Sequence, residues 1–287
     1  MGLIYILYSI YFFIFMNLFS NNLYENIKNK KIVKIITGLN NFDVHYILKV
    51  VKAAELGGAT YVDIAANPEI VSFIKSITTL PICVSSIDPI ELYNCYLAGA
   101  DVFEIGNFDS FYNKNILFSK KHIMYLAKKT KRLIKNGLLC VTIPHTLSIN
   151  EQIALAIDLQ KIDIHILQTE GFASKSQERV FSNSSILSSI WQASSTLSST
   201  YAISQFVDIP IITSSGISNL SAPFAIYYGA SGVGLASALT KHSSVSSMAK
   251  YIKETVYSVS YQYYSFLDEP LVSMHTKKMG LLQYKFL

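Results

Sequence analysis

Three cysteines, Cys83, Cys95 and Cys140, occur in 287 residues, and no two of them form a CxxC pair. An odd, dispersed count excludes a disulfide framework and a cysteine-based zinc site. A reducing compartment is the default expectation. Arginine is almost missing: Arg132 and Arg179 stand against many lysines. No HExxH, GxSxG or clustered Cys/His spacing appears, so metal and serine-hydrolase chemistry have no motif behind them, and no metal ligands are predicted. Charge is also thin, at 15% of residues. The net +5 comes from scattered lysines. The cluster Lys128, Lys129, Lys131, Arg132 and Lys135 has helical spacing beside Leu126, Leu133 and Ile134. It reads as a solvated helix face, and no nucleic-acid partner is expected.

Hydrophobic residues are plentiful, at 51% with a mean hydropathy of +0.32. Parallel strands buried on both faces give near-continuous apolar runs and account for much of this. The rest comes from residues 1–15, "MGLIYILYSIYFFIF". This apolar extension lacks the basic region and cleavage site of a secretory signal. It reads as translated spacer ahead of a true start at Met16, or as a membrane anchor if it is translated. Residues 16–30 form a polar lead-in. Isoleucine, asparagine, tyrosine and phenylalanine are abundant, which points to an AT-rich genome.

From residue 31 to 259 the pattern alternates strictly. The β-runs are "IVKIITG", "YVDIAA", "PICVSS", "DVFEIGNF", "LLCVTIPH", "DIHILQTEG", "PIITSSGI" and "GVGLASAL". Each is followed by a segment of helical periodicity. Eight βα units over this length predict a closed (β/α)8 TIM barrel in the α/β class. Internal echoes agree: "ELGGATYVDIA", "YLAGADVFEIG" and "YYGASGVGLAS" repeat one layout before strands two, four and eight. Duplication of βα pairs gives such a repeat. Residues 260–287 are left as an unassigned tail.

A barrel of this kind carries its site at the C-terminal ends of its strands. Five candidates for acid–base work lie there: Lys34, Asp63, Glu104, His145 and Glu170. Asp63 and Glu104 occupy equivalent places on strands two and four. If they point inward they meet Lys34, either as a structural ion pair or as partners of a Schiff-base lysine. His145 is a general base or a structural histidine. Gln168, Thr169 and Glu170 form a polar row expected to face a ligand. Ser214, Ser215, Gly216, Gly234, Ala236 and Ser237 end strands seven and eight. Small residues there let backbone N–H groups approach a phosphate at a helix N-terminus, though barrel packing alone also selects them. "GVGLAS" is no dinucleotide fingerprint, because its glycines lie inside a strand. His165 falls on the helix-facing side of strand six. The loops over residues 107–118 and 171–184 are long enough to be lids, and the second carries Lys175 and Arg179.

Several strings together resemble the hypothetical chloroplast open reading frame twenty-three family: "KIITGLNNFD", "GGATYVDIA", "EIGNFDSFY", "VTIPHTL", "LQTEG", "SSGIS" and "LAS". The resemblance runs from about residue 34 to 237. It implies an aldolase-type barrel in a plastid, and it carries no catalytic residues across. The functional expectation is a protein that binds a small phosphorylated metabolite at the barrel mouth, with lyase, isomerase or synthase chemistry. A non-catalytic barrel binding a regulatory ligand or a protein partner is the alternative. No cofactor is identified.

Overall fold

The computed structural model describes residues 21–38, 40–106, 108–112, 114–172 and 184–260. Strands β1 (Ile32–Ile36), β2 (Tyr61–Ala65), β3 (Ile82–Ser86), β4 (Val102–Ile105), β5 (Leu138–Ile143), β6 (Ile166–Thr169), β7 (Ile211–Thr213) and β8 (Gly232–Leu235) pair in chain order. All pairs are parallel, and β8 closes on β1 with Lys34 opposite Gly234. Helices α1 (Asn21–Lys28), α2 (Val44–Gly57), α3 (Pro68–Lys75), α4 (Pro89–Leu97), α5 (Asp109–Tyr112), α6 (Lys120–Leu133), α7 (Ile149–Lys161), α8 (Ser185–Ser204), α9 (Ala222–Tyr227) and α10 (Val245–Ser260) lie between and around them. The expected closed barrel is the observed one.

Local chemistry sets the helix starts. Asp43, Asn67 and Asp88 each accept backbone N–H bonds at a first turn, and proline follows the latter two caps. These side chains satisfy donors that a helix cannot pair internally, and proline's missing N–H costs nothing there. Alternation then divides each strand between two cores. Val33, Ile35, Val62, Ile64, Val84, Phe103, Val141 and Leu167 face the helices. Ile32, Tyr61, Cys83, Val102, Leu138, Cys140, Ile166 and Ile212 fill the barrel floor.

The lead-in is more than polar. Within it, α1 sends Leu23 and Ile27 into that floor, where they are 2% and 7% exposed. Its two apolar residues stand at i and i+4, on one face.

His165 lies on the helix-facing side of the barrel wall. Its Nδ1 accepts the Leu139 N–H at 3.0 Å. Burial, with help from Lys131, lowers its pKa from 6.5 to about 4. The unfolded chain therefore protonates this residue first, and the stability it supports is lost as pH falls from about 6.5 towards 4. Urea midpoints at pH 7, 5.5 and 4.5 are expected to drop across this window in the native protein. The drop should be smaller in His165→Asn, whose amide oxygen still accepts from Leu139; equal pH slopes in the two proteins would refute this assignment.

Candidate functional site

The upper half of the barrel interior is polar. Lys34, on β1, is fully buried, and its Nζ lies 2.6 Å from both Asp63 Oδ2 and Glu104 Oε2. It also donates to Gln168 Oε1 at 2.9 Å. An ammonium has three protons, and here each has an acceptor. Asp63 accepts from Ser85 Oγ at 3.0 Å. Glu104 Oε1 accepts from Thr142 Oγ1 at 2.9 Å and Gln168 Nε2 at 2.7 Å. Ser214 Oγ closes the net on Gln168 Oε1 at 3.2 Å. Burial opposes charge on Lys34, but Asp63 and Glu104 together outweigh it and raise the pKa well above 10.5. The geometry is that of the ion-pair reading, and a Schiff base would need this lysine to shed its proton against the pull of two carboxylates. Burial pushes Asp63 up from its ordinary value against the pull of Lys34.

A second cluster sits above this layer. His145 Nδ1 lies 3.0 Å from Glu170 Oε1, and the His145 backbone N–H donates to the same oxygen at 2.9 Å. Tyr112, from α5, also donates its hydroxyl to that oxygen. The Tyr112 ring stands edge-on to the imidazole at 4.7 Å, and Phe172 lies 5.8 Å away. Glu170 fixes the tautomer with the proton on Nδ1, which leaves Nε2 on the far side of the ring. The hydrogen bond to Glu170 raises the His145 pKa above 6.5 despite partial burial.

The ends of β7 and β8 differ in part from expectation. Ser215 and Gly216 both have positive φ, 73° and 69°, so the turn is left-handed at two successive residues. A Cβ on Gly216 would lie 2.3 Å from the Gln192 carbonyl oxygen of α8, so packing alone requires this glycine. A Cβ on Gly234 would lie 2.0 Å from Ser214 Oγ, so that glycine makes room for Ser214. Ala236 and Ser237 are exposed at the mouth. The helix expected after them is a three-residue 3-10 turn, Leu239–Lys241, too short to supply a helix dipole.

Thr169 corrects the polar-row reading. It is fully buried, and its hydroxyl bonds Thr196 and Thr200 of α8, outside the barrel wall. Strand alternation sends Gln168 inward and Thr169 outward. Of the expected lids, the first contains α5, pinned through Tyr112 on Glu170 and Ser110 on Asn40 at 2.6 Å. Lys175 and Arg179 lie outside the described residues, as do residues 1–15 and the tail from 261 onward.

Among the described residues, two groups could hold a cation by geometry. Asp109, His145 and Glu170 place one ligand atom each within 4.8 Å of one another, as do Asp63, Cys83 and Glu104. In the second group the Lys34 ammonium already lies against both carboxylates. The first was invisible to motif search because its residues come from three separate βα loops. Tyr112 was missed for the same reason, its only signal being an aromatic loop.

A family model described as "Protein of unknown function (DUF561)" matches residues 19–265. The "Uncharacterized protein ycf23" of Antithamnion sp. is 45% identical over 271 residues, covering 93% of this chain and 98% of its own length. The ycf designation denotes a plastid-encoded gene and points to a plastid. Among solved structures, the thiamine phosphate pyrophosphorylase of Pyrococcus furiosus superposes with a TM-score of 0.53 at 17% identity. That match covers 81% of this chain and 97% of the other. A 3-hexulose-6-phosphate synthase gives 0.54 at 10% identity, covering 78% and 98%. At such identities the likeness is one of fold.

Proposed function

The chain belongs to the DUF561 family, and we propose that its barrel mouth binds a small phosphorylated metabolite and works on it by proton transfer. The observation that carries this reading is the polar interior (Ser85, Thr142, Gln168 and Ser214) beneath a mouth where Glu170 holds His145. In this reading the phosphate rests on backbone N–H groups around Ser215, Gly216 and Ser237. His145 moves the proton through Nε2, and Glu170 stabilises the imidazolium. Lys34, Asp63 and Glu104 keep the layer beneath the mouth rigid and polar. The names of two fold neighbours, which include phosphorylated compounds, add support. Lyase, isomerase and synthase reactions all use such a step. The stroma is the proposed compartment.

A second reading, a barrel that binds its ligand without chemistry, draws on the complete internal pairing of Lys34. His145→Gln separates the two: loss of turnover with ligand binding retained supports catalysis.

The phosphate site is tested by titrating inorganic phosphate into the full chain and into Ala236→Glu. Ala236 is exposed, so a carboxylate there leaves the fold intact and repels an anion beside it. Binding is expected to weaken by about tenfold, or 1.4 kcal/mol. Identical phosphate binding in both proteins, or none in either, would overturn the assignment.

A further inference from the structure

A cleft of about 260 Å³ opens over β2, β3 and α5, and neither His145 nor the β7–β8 turn is among the residues that line it. Helix α5 divides the mouth: Ser110 and Phe111 line this cleft, whereas Tyr112 reaches Glu170. The cleft presents two phenyl rings, Phe42 and Phe111, and two carboxylates, Asp88 and Glu91. Ser85 and Ser86 form its base, and no lysine or arginine lines it among the described residues. Asp88 spends one oxygen on the Ile90 N–H at 2.8 Å, and Glu91 one on Ser86 Oγ at 2.5 Å.

What lies beneath gives the cleft its sign. Ser85 Oγ reaches both oxygens of Asp63 at 3.0 Å. Asp63 and Glu104 share the single ammonium of Lys34. Two carboxylates against one ammonium leave the buried layer one positive charge short when all three are ionised. The low-dielectric wall screens that deficit less than bulk water would, so it reaches into the cleft.

We propose that this cleft is a binding site for a small flat organic cation, an amine-bearing or N-protonated ring. The charge would sit towards Asp88 and Glu91, and the ring between Phe42 and Phe111. Aromatic faces favour cations electrostatically, and carboxylates without a competing lysine add to that preference. The same lining disfavours an anion, so a phosphate does not belong here. The site stands whether or not the β7–β8 turn holds phosphate.

The test uses three ring compounds of one shape and different charge: benzylammonium, benzyl alcohol and benzoate. Each is titrated into the full chain in phosphate-free buffer and followed by NMR chemical-shift changes. Benzylammonium is expected to bind about tenfold more tightly than benzyl alcohol, with benzoate weaker still. Shifts should centre on Phe42, Ser86 and Phe111. Glu91→Gln keeps a group that accepts from Ser86, so the fold is retained, and it should remove most of the preference for the cation. Equal binding of the three compounds would overturn the proposal. So would no binding at millimolar concentration, shifts elsewhere, or an unchanged preference in Glu91→Gln with an unchanged Tm. Phosphate is absent throughout, so failure here is distinct from failure of the anion site.

Discussion

Replacing Lys34 with methionine is expected to destabilise the barrel by about 3–5 kcal/mol, because it strands two buried carboxylates. Methionine fills much of the same space, so the loss is electrostatic rather than a cavity cost. A domain holds only about 5–15 kcal/mol in all, so the variant should be close to unfolding at neutral pH. The companion variant carries Lys34→Met with Asp63→Asn and Glu104→Gln. It removes all three charges, keeps hydrogen-bonding groups for Ser85 and Thr142, and should recover most of the stability. Breaking a buried ion pair costs far more than replacing it whole. Urea denaturation of the three proteins reads the difference. A single variant within about 1 kcal/mol of the native protein would show that the carboxylates are not charged together in the fold.

The pH dependence of these proteins has a fixed sign. Lys34 has a raised pKa, so the stability it contributes is complete below 10.5 and is lost as pH rises through its folded value. Asp63 is also raised. Its contribution is present below 3.8 and is lost as pH rises through its own folded value. Lys34 is the group that pulls Asp63 down. Without it the Asp63 pKa climbs further, and the penalty at neutral pH grows. Lys34→Met should therefore regain ground on the native protein as pH falls from 7 towards 4. A gap that stays constant over that range would count against the mechanism.

How much of this was legible in the sequence depended on which rule each residue obeyed. Eight apolar runs alternating with helical periodicity are a local pattern, so the barrel followed. Equal places on strands two and four put Asp63 and Glu104 on one face, and Lys34, paired with Tyr61 on β2, reaches both carboxylates through its long side chain. Thr169 failed because three consecutive polar residues looked like one unit, although alternation separates the middle one. A polar run at a strand end must be split by parity before it is assigned to a ligand. Tyr112 and Asp109 join His145 and Glu170 only through the path of α5 across the mouth. That path is set by contacts distant in sequence, such as Ser110 with Asn40. The glycines are different: Gly216 and Gly234 clear Gln192 and Ser214, the packing reason that stood in the sequence beside the phosphate reading. His165 came out on the expected side of its strand by the same parity rule that Thr169 was denied.

The other large effect belongs to α1, a helix whose composition hides its role. "NNLYENIK" is mostly polar, yet Leu23 and Ile27 lie against Ile32, Tyr61, Val102, Leu138, Ile166 and Ile212 at the barrel floor. Burying two such side chains contributes roughly 3–6 kcal/mol. Without them the floor layer opens to water, which adds to the cost. Ile27→Asp is expected to lose more than the transfer term alone, since it presents a carboxylate to an apolar layer. A chain begun at Lys31 lacks the helix entirely. It should either fail to fold or populate a loosened state that binds hydrophobic dyes while keeping its far-ultraviolet circular dichroism. A chain begun at Met16 keeps all of residues 21–28 and serves as the control, as does Lys28→Ala on the exposed face, with an effect within about 0.5 kcal/mol. Denaturation midpoints and dye binding of the four proteins give the answer. The floor is sealed by α1 if only Ile27→Asp and the chain begun at Lys31 are weakened, and the helix is dispensable if the Lys31 chain unfolds with the native midpoint.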